Sequence, residues 1–236
     1  MPTLEPVMHT LLIPLAGPMQ AWGSRSRFDD RDTHLEPTKS GILGLVCAAL
    51  GRDRAEDVTD LEALLFGVRV EKPGRVRTDY QTAQHVARAG GGSLATVTSR
   101  RHYLADARFL AGLAGSDLIL LQQLEAALKQ PRWCLSLGRK GFPLALPPYL
   151  PGGSVRQNSA LEAALRQEPW FPTYPRERPP DTLRLVLEDP NGEAALADQP
   201  LNYSERRFGL RQVHFCAEEA PPPLGTIGLE KRLRRT

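Results

Sequence analysis

The chain has 236 residues, 41% hydrophobic and 24% charged, with a formal net charge of +3 and a pI near 8.9. That is the composition of a soluble globular protein of one large domain or two small ones, long enough to bury a substantial core. The N-terminus shows no basic stretch leading into an apolar core, and no run approaches the roughly 18 apolar residues of a membrane span, which points to a cytoplasmic protein. Cys47, Cys134 and Cys216 are widely spaced and form no C-x-x-C pair, so they read as buried small hydrophobes of a reduced, intracellular protein. The basic excess is clustered, at Arg25/Arg27, Arg100/Arg101, Arg139/Lys140 and Arg206/Arg207/Arg211, and clustered cations suit phosphate. The terminal run Lys231-Arg232-Leu233-Arg234-Arg235 reads as a solvated, frayed end.

His9 to Ala16 is a strand ended by Gly17-Pro18, where Pro18 fixes its own φ and pushes Gly17 out of helix. After that turn come Gln20, Trp22 and two arginines, a set that could hold something polar and flat, although from these residues alone a Trp folded back onto the core is the favoured reading. Ser24 to Glu36 is aperiodic loop. Thr38 to Leu50 is a helix, with Thr38 as N-cap, Gly51 as stop and Ile42, Leu43, Val46, Cys47 and Leu50 as its apolar stripe. Gly41 and Gly44 inside it imply close packing. A short helix over Asp60–Phe66 leads into an alternating strand, Gly67–Glu71.

From Lys72 to about Arg101 two Thr-rich arms flank Gly90-Gly91-Gly92, the pattern of a long projecting hairpin. His102–Leu113 reads as one strand with Tyr103, Ala105, Ala107, Phe109 and Ala111 on one face. Ser116–Gln130 is a helix with Leu118, Leu121, Leu124 and Leu128 inward, and Trp133–Leu137 is a further strand. The order predicts an α+β fold: a ferredoxin-like (RRM-like) βαββαβ palm over residues 1–138, with a β-hairpin thumb inserted at about 72–103. Residues 139–236 read as a smaller, mostly β extension, with a helix over Ser159–Arg166 and strands near Thr182–Glu188 and Arg211–Phe215.

Such sheets often carry RNA, but the aromatic signature of a classical RNA-recognition motif is missing from the central strands. His102, beside Arg100, Arg101 and Tyr103 at the hairpin base, suits either metal-independent RNA cleavage or simple phosphate binding. His9 and His214 sit in strand patterns and read as structural; His34 and His85 fall in loops. Asp29, Asp30, Asp32, His34 and Glu36 lack a helix to align them on one face, so they read as a solvated acidic loop and no metal is expected. No phosphate-loop or dinucleotide fingerprint occurs, and no cofactor is expected. Lys39-Ser40-Gly41 opens a helix, where free amides attract anions. Arg139-Lys140, between Gly138 and Gly141, exposes two cations on a turn.

Taken together, PLAGPMQAWG at 14–23, PTKSGILGLVCAALG at 37–51, TDYQTA at 78–83, RRHYLADARF at 100–109 and LGRKGFPL at 137–144 resemble the CasD subunits of type I-E CRISPR Cascade complexes, the fifth Cas family within the RAMP superfamily. The likeness covers about the first 145 residues and is loose beyond them. It implies a non-catalytic subunit that caps one end of a surveillance complex and holds the 5′ handle of the CRISPR RNA. The implied partners are the backbone (Cas-seven-type) subunit and the large PAM-reading subunit, with target DNA reached indirectly through the complex. Related type I-C members cleave RNA with a Tyr/Lys/His set; here Arg100 and Arg101 stand where a lysine beside His102 would be needed. The expected RNA contacts are Gln20 and Trp22 with Arg25 and Arg27, the Lys39-Ser40-Gly41 helix start, and Tyr80 and Gln81 on the hairpin. Arg100, Arg101, His102 and Tyr103 at its base, Arg139 and Lys140, and Arg207 and Arg211 complete the set. The competing reading is a repeat endoribonuclease using His102 and Tyr103; a protein–protein adaptor without RNA contact is the third.

Overall fold

A computed structural model describes residues 7–23, 29–88, 90–170 and 177–220. In chain order the strands and helices are β1 (His9–Ala16), β2 (Met19–Gln20), β3 (Asp30–Arg31), α1 (Lys39–Leu50), α2 (Thr59–Glu62), β4 (Leu65–Lys72), β5 (Arg75–Val86), β6 (Ala95–Ala105) and β7 (Arg108–Gly115). They continue as α3 (Leu118–Lys129), β8 (Val155–Arg156), α4 (Leu161–Gln167), β9 (Thr182–Glu188), β10 (Ala194–Asn202) and β11 (Arg207–Glu219). The result is a mixed α/β fold of mostly antiparallel sheets with few helices.

β1 is apolar on successive residues because both of its faces are covered. Leu11, Ile13 and Leu15 join the cluster under α1 and α3, whereas Leu12 joins a second cluster with Leu161 and Leu165 of α4 on the opposite face. β4 and β7 split the same way: Phe66, Val68, Phe109 and Leu113 on one side, Leu110 and Ala114 on the other. Seven strands form the main sheet in the order β10-β11-β9-β4-β7-β1-β8, every pair antiparallel. Strands from residues 182–219 thus continue the sheet begun by β1. α1 starts on a Thr38 side chain that accepts from Gly41 N and ends at Gly51; α3 starts on Asp117, whose carboxylate accepts from Leu120 N.

β5 and β6 form the expected long hairpin, and β5 is exposed from Arg75 to His85, so the hairpin projects with no core of its own. β6 is its inner strand. On its other edge it pairs with β2 (Met19↔Ala105, Gln20↔Leu104) and, in parallel, with β3 (Asp30↔Arg100, Arg31↔Arg101).

Five expectations need correction. His102–Leu113 is two strands in two sheets, broken where Asp106 takes a φ of 55°. Trp133–Leu137 is no strand: Arg132 and Trp133 donate their amides to Ala49 O and Ala48 O, closing the C-terminal end of α1, and Trp133 and Cys134 are exposed. Cys134 is therefore not a buried hydrophobe, and Cys216 is half-buried; only Cys47 is buried. The helix expected over 60–66 ends at Glu62, because Phe66 belongs to β4. The polar positions of the 67–71 strand are not solvated: Arg69 and Glu71 are buried and paired at 2.6 Å, and Arg69 also donates to Leu165 O and Glu168 O at the end of α4. β10 was not anticipated, since Asp198 and Pro200 interrupt its apolar alternation. Among the described residues no helix is long and apolar enough to cross a membrane.

Candidate nucleic-acid interface

The turn at Gly17-Pro18 carries residues 19–22 across the base of the hairpin, where Asp106 N donates to Pro18 O at 3.1 Å. Gln20 has no exposed surface. Its Nε2 donates to Ala107 O at 2.8 Å and its Oε1 accepts from Trp22 Nε1 at 3.2 Å. Trp22 is 1% exposed, and its indole lies on α1 at Gly41, where a Cβ would come within 2.8 Å of Cε3. Gly41 therefore serves the Trp22 contact, with Thr38 Oγ1 accepting its N–H. The expected open floor is a buried brace, and neither the carboxamide nor the indole faces solvent.

The helix start is also filled from within. Lys39 N donates to Asp198 Oδ2 at 2.8 Å, so a carboxylate from β10 already occupies the position where a phosphate would meet the first amides. Arg211 clamps that carboxylate with two bonds, Nε to Oδ1 at 3.0 Å and Nη2 to Oδ2 at 2.8 Å, and stacks 5.2 Å from the Phe66 ring centroid. Lys39 Nζ turns to Glu188 at 3.1–3.2 Å. Desolvation pushes its pKa below the ordinary lysine value against the pull of Glu188. Ser40 is buried, and its carbonyl accepts from Tyr203 Oη at 2.6 Å. Lys39, Ser40 and Arg211, expected at RNA, are used in joining β9–β11 to α1, and Gly41 is taken by Trp22 and Thr38.

The base of the hairpin is different. Cross-strand partners on antiparallel strands share a face, so Arg75 opposite Ala105, Arg77 opposite Tyr103 and Asp79 opposite Arg101 point one way. Arg31, opposite Arg101 on β3, adds to the same face. The 138–141 turn brings in Arg139, which donates to Arg31 O at 3.0 Å and lies 5.6 Å from the Phe142 ring centroid; Tyr103 packs on Phe142 at 5.8 Å. Partial burial first, then the neighbouring Arg101 and Arg31, depress the pKa of Arg139, while Asp32 and Asp79 offset part of that. Among the described residues none of Arg31, Arg101 and Arg139 forms an ion pair. Cations held together with no carboxylate at ion-pair distance, beside two aromatic rings, have the chemistry that a phosphodiester chain and its bases complement.

A family model described as "CRISPR-associated protein (Cas_Cas5)" matches residues 10–214. The chain belongs to this Cas5 family of CRISPR-associated proteins. It is 35% identical over 175 residues to "CRISPR system Cascade subunit CasD" of Escherichia coli (strain K12), covering 67% of this chain and 77% of that protein. A solved structure described as "Crystal structure of Cas protein" is 43% identical with a TM-score of 0.73, covering 92% of this chain and all of the other. A second, from a "CRISPR RNA-guided surveillance complex", is 28% identical with a TM-score of 0.75, covering 95% and 98%.

In this Cas5 protein the opposite face of the hairpin carries Tyr80, Arg100 and His102. Tyr80 is 64% exposed, and both ring nitrogens of His102 are engaged, Nδ1 with Thr78 Oγ1 at 2.9 Å and Nε2 with Asp30 Oδ1 at 3.2 Å. Asp30, from the loop read as solvated, thus helps fasten β3 to the hairpin. Gln81 bonds Asp79, Lys140 is exposed, and Arg207 is exposed beside Glu205. Arg25 and Arg27, Ala89 of the hairpin tip, and the basic tail lie outside the described residues. His9 accepts from Asn158 N, and His214 meets Glu193 at the surface. Among the described residues no group of three or more His, Cys, Asp or Glu could hold a metal ion. Sequence reasoning missed Arg31, Arg75 and Arg77. The R-x-R alternation at 75–77 was the available signal, once the hairpin register put Arg77 opposite Tyr103.

Proposed function

We propose that this chain is the non-catalytic, CRISPR-RNA-binding subunit of a type I-E-like Cascade surveillance complex in the cytoplasm, capping one end and holding the 5′ handle of the guide for antiviral defence. The observation that carries the reading is the meeting of Arg31, Arg101 and Arg139 at the hairpin base without ion-pair partners, beside Tyr103 and Phe142. Family membership and the likeness to CasD and to a CRISPR RNA-guided surveillance complex supply the context. Arg75, Arg77, Arg101 and Arg139 hold backbone phosphates, Tyr103 offers a stacking face, and Tyr80, Gln81, Arg100, His102, Lys140 and Arg207 are outer contacts. The backbone subunit and the large PAM-reading subunit are its neighbours, and target DNA is met only through the complex.

The architecture in this reading is a ferredoxin-like palm, residues 1–138 with the hairpin as thumb, whose sheet residues 139–236 extend. The order β8-β1-β7-β4, with α1 and α3 on one face, supports it. In that arrangement the two-residue β8 fills the edge assigned to Trp133–Leu137. A scaffold role is supported at His102, whose ring nitrogens are both occupied, with Arg100 and Arg101 where a lysine is needed. Labelled repeat RNA incubated with the purified chain without metal stays intact in this reading, while the chain retains it in a salt-dependent way. Cleavage that disappears in His102→Ala would establish the endoribonuclease instead. Equal affinity for handle and scrambled RNA, alone and in the complex, would favour the adaptor.

A further inference from the structure

Residues 19–22 touch each of the three chain segments that carry the arginines. Towards the hairpin, β2 pairs with Leu104 and Ala105, and the Gln20 side chain holds Ala107 O beside Asp106, the residue that breaks the strand. Towards Arg139, Ala21 N donates to Leu137 O at 3.1 Å. Gly138, at a φ of +88°, sits so close that a Cβ would lie 1.8 Å from Ala21 O. Towards Arg31, Trp22 N donates to Thr33 Oγ1 at 2.9 Å and Trp22 O accepts from His34 N at 3.0 Å. Most of these ties are backbone. The side-chain tie to the hairpin is Gln20, and its carboxamide cannot rotate, because Ala107 O takes the nitrogen end and Trp22 Nε1 holds the oxygen end.

We propose that Gln20 is a positioning residue for RNA: by locking the hairpin to the segment that also seats the Arg31 and Arg139 loops, it sets the spacing of the three guanidinium groups. This rests on the reading of the hairpin base as an RNA site. Phosphates along a strand have a fixed repeat, so cations on three separate segments grip them together only if those segments are held in register before binding. A buried residue without access to the ligand controls the site in this way through groups that have it.

The test is a double-mutant cycle on the full chain, binding a fluorescein-labelled CRISPR RNA over a range of salt concentrations. Gln20→Met keeps the volume and removes both bonds. It is expected to weaken binding about tenfold and to lower the salt slope by about one unit, as if one phosphate contact were lost. Combined with Arg139→Ala, it is expected to cost little more than Arg139→Ala alone, because a displaced arginine cannot be lost twice. Leu124→Ala, a core truncation in α3, is the control: it lowers the unfolding midpoint and leaves affinity and slope unchanged. Trp22→Phe removes the indole N–H that holds Gln20 Oε1 and also shortens the buried ring system, so its unfolding midpoint is read beside Leu124→Ala; its expected loss of affinity is about threefold in the same direction, and it serves if Gln20→Met does not fold. Additive losses, or a loss with unchanged slope confined to one RNA sequence, overturn the positioning role, the second because it marks Gln20 as reading a base. If Arg101→Ala and Arg139→Ala alone change neither affinity nor slope, the RNA site itself fails, and that result needs no Gln20 variant.

Discussion

Two groups of cations, all but Arg31 expected at RNA, treat their charge in opposite ways. At the start of α1, Lys39 and Arg211 are buried and answered by Glu188 and Asp198, whose carboxylates also accept the amides of Phe66 and Lys39. At the hairpin base, Arg31, Arg101 and Arg139 lie together, and partial burial first, then the charges of Arg101 and Arg31, depress the pKa of Arg139. Burial forces the first group to find partners, since an unpaired buried charge is prohibitive. Water tolerates the second until an anion replaces it. A cluster of arginines in a sequence therefore says little until it is known which of them the fold has already neutralised.

The largest effect expected from this contrast is at Asp198. Asp198→Ala strips the partner from a buried guanidinium and from the first amide of α1, so unfolding in urea should show a loss of about 3–5 kcal/mol. RNA affinity per folded molecule should not change. A loss below about 1 kcal/mol would mean that water already shares the Arg211 site.

The interior of α1 also predicts a pH signature that the hairpin base lacks. Burial pushes the Cys47 thiol up to about 11 from an ordinary 9.0. Because the folded value lies above the unfolded one, its contribution is complete below about pH 9 and is lost as pH rises towards 11. The difference in unfolding free energy between the native chain and Cys47→Ala should be flat to pH 9 and then shrink by about 2–3 kcal/mol. Lys39 titrates in both proteins and cancels; a flat difference to pH 11 would show that the thiol is not held in an apolar site.

At the hairpin the expected signs reverse. Arg101→Ala and Arg139→Ala should each move stability by less than about 0.5 kcal/mol, yet each should lower the slope of log affinity against log salt by about one unit. The same is expected of Arg77→Ala, since Arg77 lies opposite Tyr103 on that face. Loss of stability without loss of slope would place these arginines with Lys39 and Arg211.

Much of the scaffold was legible in the residues. β1, α1 with its Thr38 cap and Gly51 stop, the hairpin and α3 follow from periodicity and caps. The errors share one cause, since local pattern carries no information on which sheet a segment joins. Tyr103, Ala105, Ala107 and Phe109 recur at period two as in one strand, yet a positive φ at Asp106 sends the two halves of the segment to different sheets. WCLSL alternates as well, but its Trp133 amide serves the end of α1 and its Leu137 amide bonds Phe142 O in the following turn. The proposed site was half legible: Arg101, Tyr103 and Arg139, which the fold leaves at the hairpin base, could be named as candidates, whereas Gln20 and Lys39 look identical in sequence whether they face RNA or the core. Their partners, Ala107 and Asp198, lie 87 and 159 residues away, beyond any local signal.

The smallest of the expected effects probes the border between the two regions. Tyr203 Oη donates to Ser40 O, and burial pushes its phenol far above the ordinary range, so it stays a donor at every accessible pH. Tyr203→Phe removes that bond and keeps the ring against Phe208, with which it packs edge-on at 6.2 Å. Ser40 lies in the first turn of α1, where its carbonyl also serves the helix ladder, so no acceptor is stranded and the loss should be about 1 kcal/mol or less by thermal unfolding. RNA affinity and salt slope should stay at the native values. A lowered slope in Tyr203→Phe would show that the seating of α1 is transmitted through Gly41 and Trp22 to the arginines, and the two regions would then have to be treated as one coupled unit.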